Sequence, residues 1–360
     1  VTVSTPDHQH FHASCLAMRA GKHVYCQKPL THGIWEARML SQVAAETGVK
    51  TQMGNQAHAK DHMRRCIELI RAGVLGKVSE VHGWTNRPIW PQGMVAPPEP
   101  EAVPGWLNWD QWIGPAPFVD YSSKIAPFNW RGWWNYGTGA LGDMACHIMD
   151  LGYWTMMPAA PVAVTAKQFG ATELSPPITS SITWEFPAGP HSGKDGFRFH
   201  LYDGYLNARF DPDTWSLVTE KDDYNHPDTT ILGDMDFKDF GSVVIGEEGK
   251  LFFNRSKNNW VLQTSSRIDG FEWPATSLPR AAGQNNYQEW LDAITGKIDQ
   301  GESNFDLAGP MTETILLGVL AQRTPDTRLE WNASAMEVKG RPDLQHLIQR
   351  PYRAGWASPV

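Results

Sequence analysis

Residues 1–29, VTVSTPDHQHFHASCLAMRAGKHVYCQKP, decide the architecture. Val1–Thr5 is a short β-branched run of the kind buried in a parallel sheet. Pro6-Asp7 opens a helix that runs to about Ala20 and is closed by Gly21, the usual polarity of helix start and stop signals. HVYCQKP is the next strand, stopped at Pro29. The alternation then repeats. Gly33 to about Thr47 reads as helix with Gly48 as its stop, VKTQMGN as a third strand, and Asp61 to Ala72 as a third helix capped by Gly73. Strands separated by whole helices predict a parallel, doubly wound α/β sheet.

After Gly76 the texture changes. VSEVHGWTN alternates like a half-exposed strand, and a long Pro/Trp segment follows from Pro88 to Trp134. A helix is expected from about Ala140 to Met156. VAVTAKQF, SSITWEF, FRFHLY, SVVIG and KLFFN are further alternating runs, with GEEG as a hairpin turn between the last two. They predict a large, mainly antiparallel, open-faced sheet in an α+β domain. Two late helices, near 285–294 and 308–321, complete it. The boundary between the two domains is placed at 76/77.

Composition narrows the function classes. Charged residues are 19% and hydrophobic ones 41%, which is globular rather than disordered composition. A net charge of −8 argues against nucleic acid or an anionic membrane surface as partner. No apolar run is long enough for a membrane helix. Cys15, Cys26, Cys66 and Cys146 are scattered, with no C-x-x-C pair to suggest a zinc knuckle or a disulfide framework. Many of the 17 tryptophans cluster between Trp84 and Trp134. They serve either as core or as flat faces against a sugar ring.

YGTGALGDMACHIMD, residues 136–150, contains the G-x-G-x-x-G spacing of a dinucleotide site at Gly137, Gly139 and Gly142. That pattern works only after a strand and with an acidic residue about 20 positions on. Here FNWRGWWN precedes it, and the first acidic residue after Asp150 is Glu173. The glycines are therefore a decoy. The chemistry lies with Asp143 and His147, four apart on one helix face that Asp150 continues, where a carboxylate orients an imidazole base; the bland alternative is a solvated polar face. Lys28, at the carboxyl end of a strand, is either a proton-handling donor or a surface lysine. His8, His10 and His12 alternate after a strand as in some metal hydrolases, but a turn and helix start would splay them, so no metal is assigned. Asp7 reads as a helix cap.

TPDHQH, AGKHVYCQKPLTH and GTGALGDMACHIMD, in that order, resemble the Gfo/Idh/MocA oxidoreductases, named for glucose–fructose oxidoreductase and inositol dehydrogenase. The tail NFDLAGPMTETILLGVLAQRT…YRAGW is similar to a subgroup whose precursors often carry an export signal. The resemblance implies a Rossmann-type NAD(P)-binding domain over 1–76 and a substrate-binding α+β domain over 77–360. It also implies oxidation or reduction of a hydroxyl carbon in a sugar, polyol or glycoside, with NAD or NADP as cofactor. Lys28 matches the lysine of the family's EKP motif, His147 the proton-removing histidine and Asp143 the acid beside it. Thr5, Pro6, His10 and Gln27 match the cofactor turn, and Trp130 and Arg131 fall to the sugar pocket. Gln27 departs from the family's glutamate.

The family's glycine fingerprint and first three strands are not found, so the chain is expected to begin inside the domain. By itself it is then expected neither to bind a dinucleotide nor to stay monomeric, because Val1–Thr5 would be a bare sheet edge. The complete protein is expected to be a homo-oligomer, cytoplasmic or exported to the periplasm. Three rival functions stay open: an NAD-dependent glycosidase working through transient sugar oxidation, a non-catalytic sugar or nucleotide sensor, and a metal-dependent hydrolase.

Overall fold

The computed structural model describes residues 1–220, 223–233, 240–254, 259–264 and 272–360. The N-terminal alternation forms a parallel sheet. β1 (Thr2–Val3), β2 (Val24–Cys26) and β3 (Thr51–Met53) lie side by side in that order, with Val3 opposite Cys26 and Cys26 opposite Met53. α1 (His10–Arg19) and α2 (Ile34–Thr47) make the crossovers, and α3 (Asp61–Arg71) leaves the third strand. Gly48 takes φ 62° to end α2, a left-handed cap that glycine adopts without a Cβ clash.

Two boundaries differ from expectation at the first turn. β1 stops at Val3, and a 3-10 turn at Asp7–Gln9 precedes α1. Asp7 makes no capping hydrogen bond, so it is not the helix cap that its position suggested.

The second sheet has nine strands. In chain order these are β4 (Val78–Thr85), β5 (Ala163–Phe169), β6 (Thr179–Phe186) and β7 (Phe197–Gly204), then, after a separate hairpin of β8 (Arg209–Asp211) and β9 (Ser216–Val218), β10 (Phe240–Gly246), β11 (Gly249–Asn254), β12 (Asn259–Thr264), β13 (Leu329–Asn332) and β14 (Glu337–Val338). Their spatial order is β12-β11-β10-β4-β7-β6-β5-β13-β14. Every pairing is antiparallel except β4 with β7. GEEG closes the β10–β11 hairpin, with Gly246 opposite Gly249. The strands β8, β9, β13 and β14 carry too few alternating residues to read from sequence, and β12 lies outside the runs read as strands.

One face of this sheet is covered by helices. The helix expected from 140 to 156 is two, α5 (Gly139–Ile148) and α6 (Asp150–Met156). Both pack closely: a Cβ on Gly83 of β4 would lie 2.3 Å from Ile148, and one on Gly152 would lie 2.7 Å from Val81. The carboxylate of Asp150 goes to His58 Nδ1 at 2.8 Å, both side chains being fully buried. Asp150 therefore does not extend the Asp143–His147 stripe.

Five further helices among the described residues are α4 (Trp109–Ile113), α7 (Thr229–Leu232), α8 (Asn286–Ile294), α9 (Phe305–Gln322) and α10 (Gln345–Ile348). α8 and α9 tie the two sheets together. Tyr25 Oη donates to Asn286 Oδ1 at 2.7 Å, Arg38 forks onto Glu313 at 2.6 and 2.7 Å, and Trp184 Nε1 donates to Thr314 O at 2.8 Å. A single hydrophobic core runs from Val3 to Trp331 across both sheets.

The Pro/Trp segment folds on itself. Trp109, Trp130, Trp133, Tyr121 and Tyr136 form a second core, and Trp109 stacks on Trp112 at 4.6 Å. Most of these rings serve packing. Among the described residues no helix is long and apolar enough to cross a membrane.

Candidate functional site

The carboxyl ends of the three parallel strands converge on the start of α5. After β1 comes Asp7, after β2 Lys28, and after β3 Asn55. Each meets α5 or the turn that opens it. Asp7 Oδ2 accepts from Thr138 Oγ1 at 3.0 Å, Lys28 Nζ donates to Asp143 Oδ1 at 2.7 Å, and His147 Nδ1 donates to Asn55 Oδ1 at 2.9 Å. Ligands collect at strand carboxyl ends in open parallel sheets because the loops diverge there and leave a crevice. Here the crevice is a cleft of about 480 Å³. Thr5, Pro6, Asp7, Gln27 and Lys28 form one wall, and Trp112, Phe128, Trp130 and Arg131 form the other.

The glycines at 137–142 let the chain pack tightly around the start of α5. A Cβ on Gly137 would stand 2.5 Å from Arg131 Cα, and one on Gly142 would stand 2.1 Å from Thr138 Oγ1. Backbone thus packs on backbone, and Thr138 is held over Asp7. We expect Gly137→Ala to push the Arg131 segment away and to cost about 1–3 kcal/mol, as overpacking does. Thermal unfolding of the variant checks this; an unchanged midpoint would mean that the segment yields freely.

The side chains share charge. Lys28 also donates to the Asp143 main-chain carbonyl at 3.0 Å, and Arg131 Nε reaches Asp143 Oδ1 at 3.4 Å. The Arg131 guanidinium lies 4.2 Å over the Trp130 ring and 5.0 Å over Phe128. Asp7 is 4% exposed. Burial, joined by repulsion from Asp143, pushes its carboxyl up to about 7, against the pull of Lys28 and Arg131.

The pairing inside the site corrects the sequence expectation. Asp143 gives its carboxylate to Lys28 and Arg131, and Asn55 holds His147. Two cations within reach of Asp143 outcompete a neutral imidazole for its charge. Asp7 and Asn55 escaped the sequence reading. The strand-end argument that singled out Lys28 applies equally to Asn55 at the end of VKTQMGN. Asp7 was hidden by its resemblance to a cap.

His10 stands apart from the cleft. Its ring nitrogens meet Pro29 O and Thr5 O, each at 2.8 Å, so it clamps the two strand ends together. Burial, the largest influence on it, works against its charge, but Cys26 and the two carbonyls raise its pKa overall. His8 meets Tyr136 O and Trp112 O, and burial pushes it down to about 3. His12 meets Ala357 O at 3.2 Å. The three imidazoles splay onto separate main-chain carbonyls.

Known proteins resemble this chain. Residues 1–55 match the Gfo/Idh/MocA model described as the oxidoreductase family's NAD-binding Rossmann fold, and residues 61–167 match that family's C-terminal alpha/beta domain. Levoglucosan dehydrogenase of Pseudarthrobacter phenanthrenivorans is 23% identical over 151 residues, 42% of this chain and 31% of that protein. The 2,7-anhydro-N-acetylneuraminate hydratase of Escherichia coli is 28% identical over 91 residues, 24% of each. These matches span about a quarter to a third of the curated relatives' lengths. An inositol dehydrogenase homolog of Azotobacter vinelandii, solved with NADH and myo-inositol, shares the fold at TM-score 0.57 and 13% identity, over 92% of this chain and 77% of that one. Both Gfo/Idh/MocA oxidoreductase domain models thus match this chain in order, over 1–55 and 61–167, and the inositol dehydrogenase homolog shares its fold along nearly the whole chain.

Proposed function

We propose that the protein is an NAD(P)-dependent oxidoreductase that acts on a hydroxyl carbon of a sugar, polyol or glycoside. The observation that carries this reading is the convergence of Asp7, Lys28 and Asn55, from three strand ends, on Thr138, Asp143 and His147. A nicotinamide, when bound, supplies the hydride acceptor or donor. The residues at hand fit its reactive end, because Thr5, Pro6, Gln27 and Lys28 line the cleft where the strands stop. His10 supports that wall from behind by clamping Thr5 and Pro29.

This chain's residues would handle the proton and the charge. With Nδ1–H donated to Asn55, a neutral His147 carries its lone pair on Nε2, the atom that takes the hydroxyl proton. The Lys28 ammonium, aimed by the side chain and carbonyl of Asp143, stabilises the developing alkoxide. Asp7 adds a carboxyl that titrates near neutral pH. Trp130, Phe128 and Arg131 offer flat faces and donors to a sugar ring.

A second reading keeps these residues and changes the net outcome, as in transient sugar oxidation followed by elimination. The hydratase among the relatives favours it, since a hydration transfers no net hydride. The whole protein, incubated with NAD+ or NADP+ and a panel of sugars and glycosides, separates the two. Stoichiometric NAD(P)H supports the dehydrogenase, and product without NAD(P)H supports the second reading. No turnover on any of them would overturn both in favour of a sensor.

The turns after β1, β2 and β3 read TPDHQH, QKPLTHG and GNQAHA, none of which carries the glycine pattern that cradles a pyrophosphate. We therefore expect the 360 residues alone to bind NAD+ and NADP+ more weakly than about 1 mM. Micromolar binding in a calorimeter would show that GTGALG, or another part of this chain, holds the pyrophosphate after all.

A further inference from the structure

The face of the nine-stranded sheet away from α5 and α6 carries a second cluster of chemistry. Along β4, Val81 and Gly83 pack under those helices, so Glu80, His82 and Trp84 project from the other face. On the neighbouring strand β7, His200 is the direct ladder partner of His82. The two imidazoles stack with centroids 4.6 Å apart and planes 19° from parallel. Glu80 Oε2 lies 2.9 Å from His82 Nε2. One ligand atom from each of the three side chains falls within 4.8 Å of the others.

We propose that Glu80, His82 and His200 bind a divalent transition-metal ion, with zinc as the ion that their donor set suits. Two imidazole nitrogens and one carboxylate oxygen are the donors of a borderline-soft cation in tetrahedral coordination, with a fourth position left to water. A pair at i and i+2 on one strand, with a third group opposite on the next, gathers three ligands on a rigid surface without strain.

The surroundings are those of a ligating histidine pair. The Nδ1 atom of His82 meets Tyr202 Oη at 3.3 Å, and Nδ1 of His200 meets Thr183 Oγ1 at 2.9 Å. When an ion replaces the Glu80–His82 hydrogen bond, each Nδ1–H can donate to its hydroxyl, which leaves Nε2 of each ring to the ion. His82 is buried and His200 half-buried. Glu80 is half-buried, so the cluster stays open to solvent on one side. None of the three touches the candidate catalytic residues, and the site would staple β4 to β7, the one parallel pairing in the sheet.

The test is a zinc titration of the chelator-treated, dialysed chain, read by calorimetry, with cobalt as a spectroscopic substitute. One zinc per chain is expected, together with a visible band of four-coordinate cobalt and a zinc-induced rise in melting temperature. His200→Ala and Glu80→Gln change partly exposed side chains and leave the core intact. Each should weaken zinc by at least ~10-fold and abolish the cobalt band and the rise in melting temperature. Circular dichroism confirms that both variants are folded. Absence of stoichiometric binding overturns the proposal, as does binding that both variants retain unchanged.

Discussion

Lys28→Ala and His147→Ala, each assayed in the whole protein, are expected to lower turnover by ~10²–10⁴-fold, the usual worth of a positioned proton-transfer group. Lys28 is the only ammonium that meets Asp143 among the described contacts, and two oxygens hold it there to serve the proposed alkoxide. The fold should survive, because Arg131 remains 3.4 Å from Asp143 to balance its charge. His147→Ala removes the proposed base itself. Asn55→Ala acts one step away: it frees the imidazole without removing it, so its loss in kcat should be smaller than that of His147→Ala. Steady-state kinetics with circular dichroism of each variant checks the set. Near-full activity in either alanine variant at 28 or 147 would remove that residue from the mechanism. A loss in Asn55→Ala equal to that in His147→Ala would show that tautomer control is the whole of the histidine's contribution.

Asp7→Asn should stabilise the protein at alkaline pH. A carboxyl with a folded value of about 7 and an ordinary value of 3.8 binds its proton more tightly in the native state. Its contribution is fully present below the unfolded value and is lost as pH rises through the folded one. Above pH 8 the buried charge then opposes folding by roughly 3–4 kcal/mol, and asparagine relieves this. The gain should fall to about half near pH 5.5 and vanish below the unfolded value. Urea unfolding of both proteins at several pH values measures it, and a gain that does not change with pH would show that Asp7 has no raised pKa. The same variant should lose the limb of the pH–rate profile near neutrality. A carboxyl kept at such a cost in stability is the expected compromise of a functional site.

Local signals carried the elements but not their company. The three parallel strands, the stops at Gly48 and Gly73, and the GEEG hairpin were legible because each depends on a few adjacent residues: β-branched runs, a glycine at positive φ, a two-residue loop. The break at Met149 was not legible, since nothing in ACHIMDLGYW forbids a helix; Asp150 leaves the stripe because His58, from another element, holds its carboxylate. The short strands β8, β9, β13 and β14 were invisible for a related reason, their pairing being decided by neighbours distant in the chain.

The site divides in the same way. The sequence by itself determined which residue types are present and on which kind of element: a lysine at a strand end, an acid and a histidine one helical turn apart, glycines that cannot serve a pyrophosphate. Only the tertiary structure decided who meets whom. Asp143 faces Lys28 rather than His147, Asn55 supplies the histidine's partner, and Asp7 lines the cleft beneath Thr138 rather than capping a helix. The physical reason is that helical spacing sets only the distance between Asp143 and His147 along one element. Hydrogen-bond and charge partners are chosen by three-dimensional proximity, which here brings α5 and its opening turn to strand ends 92 to 131 residues away in the chain.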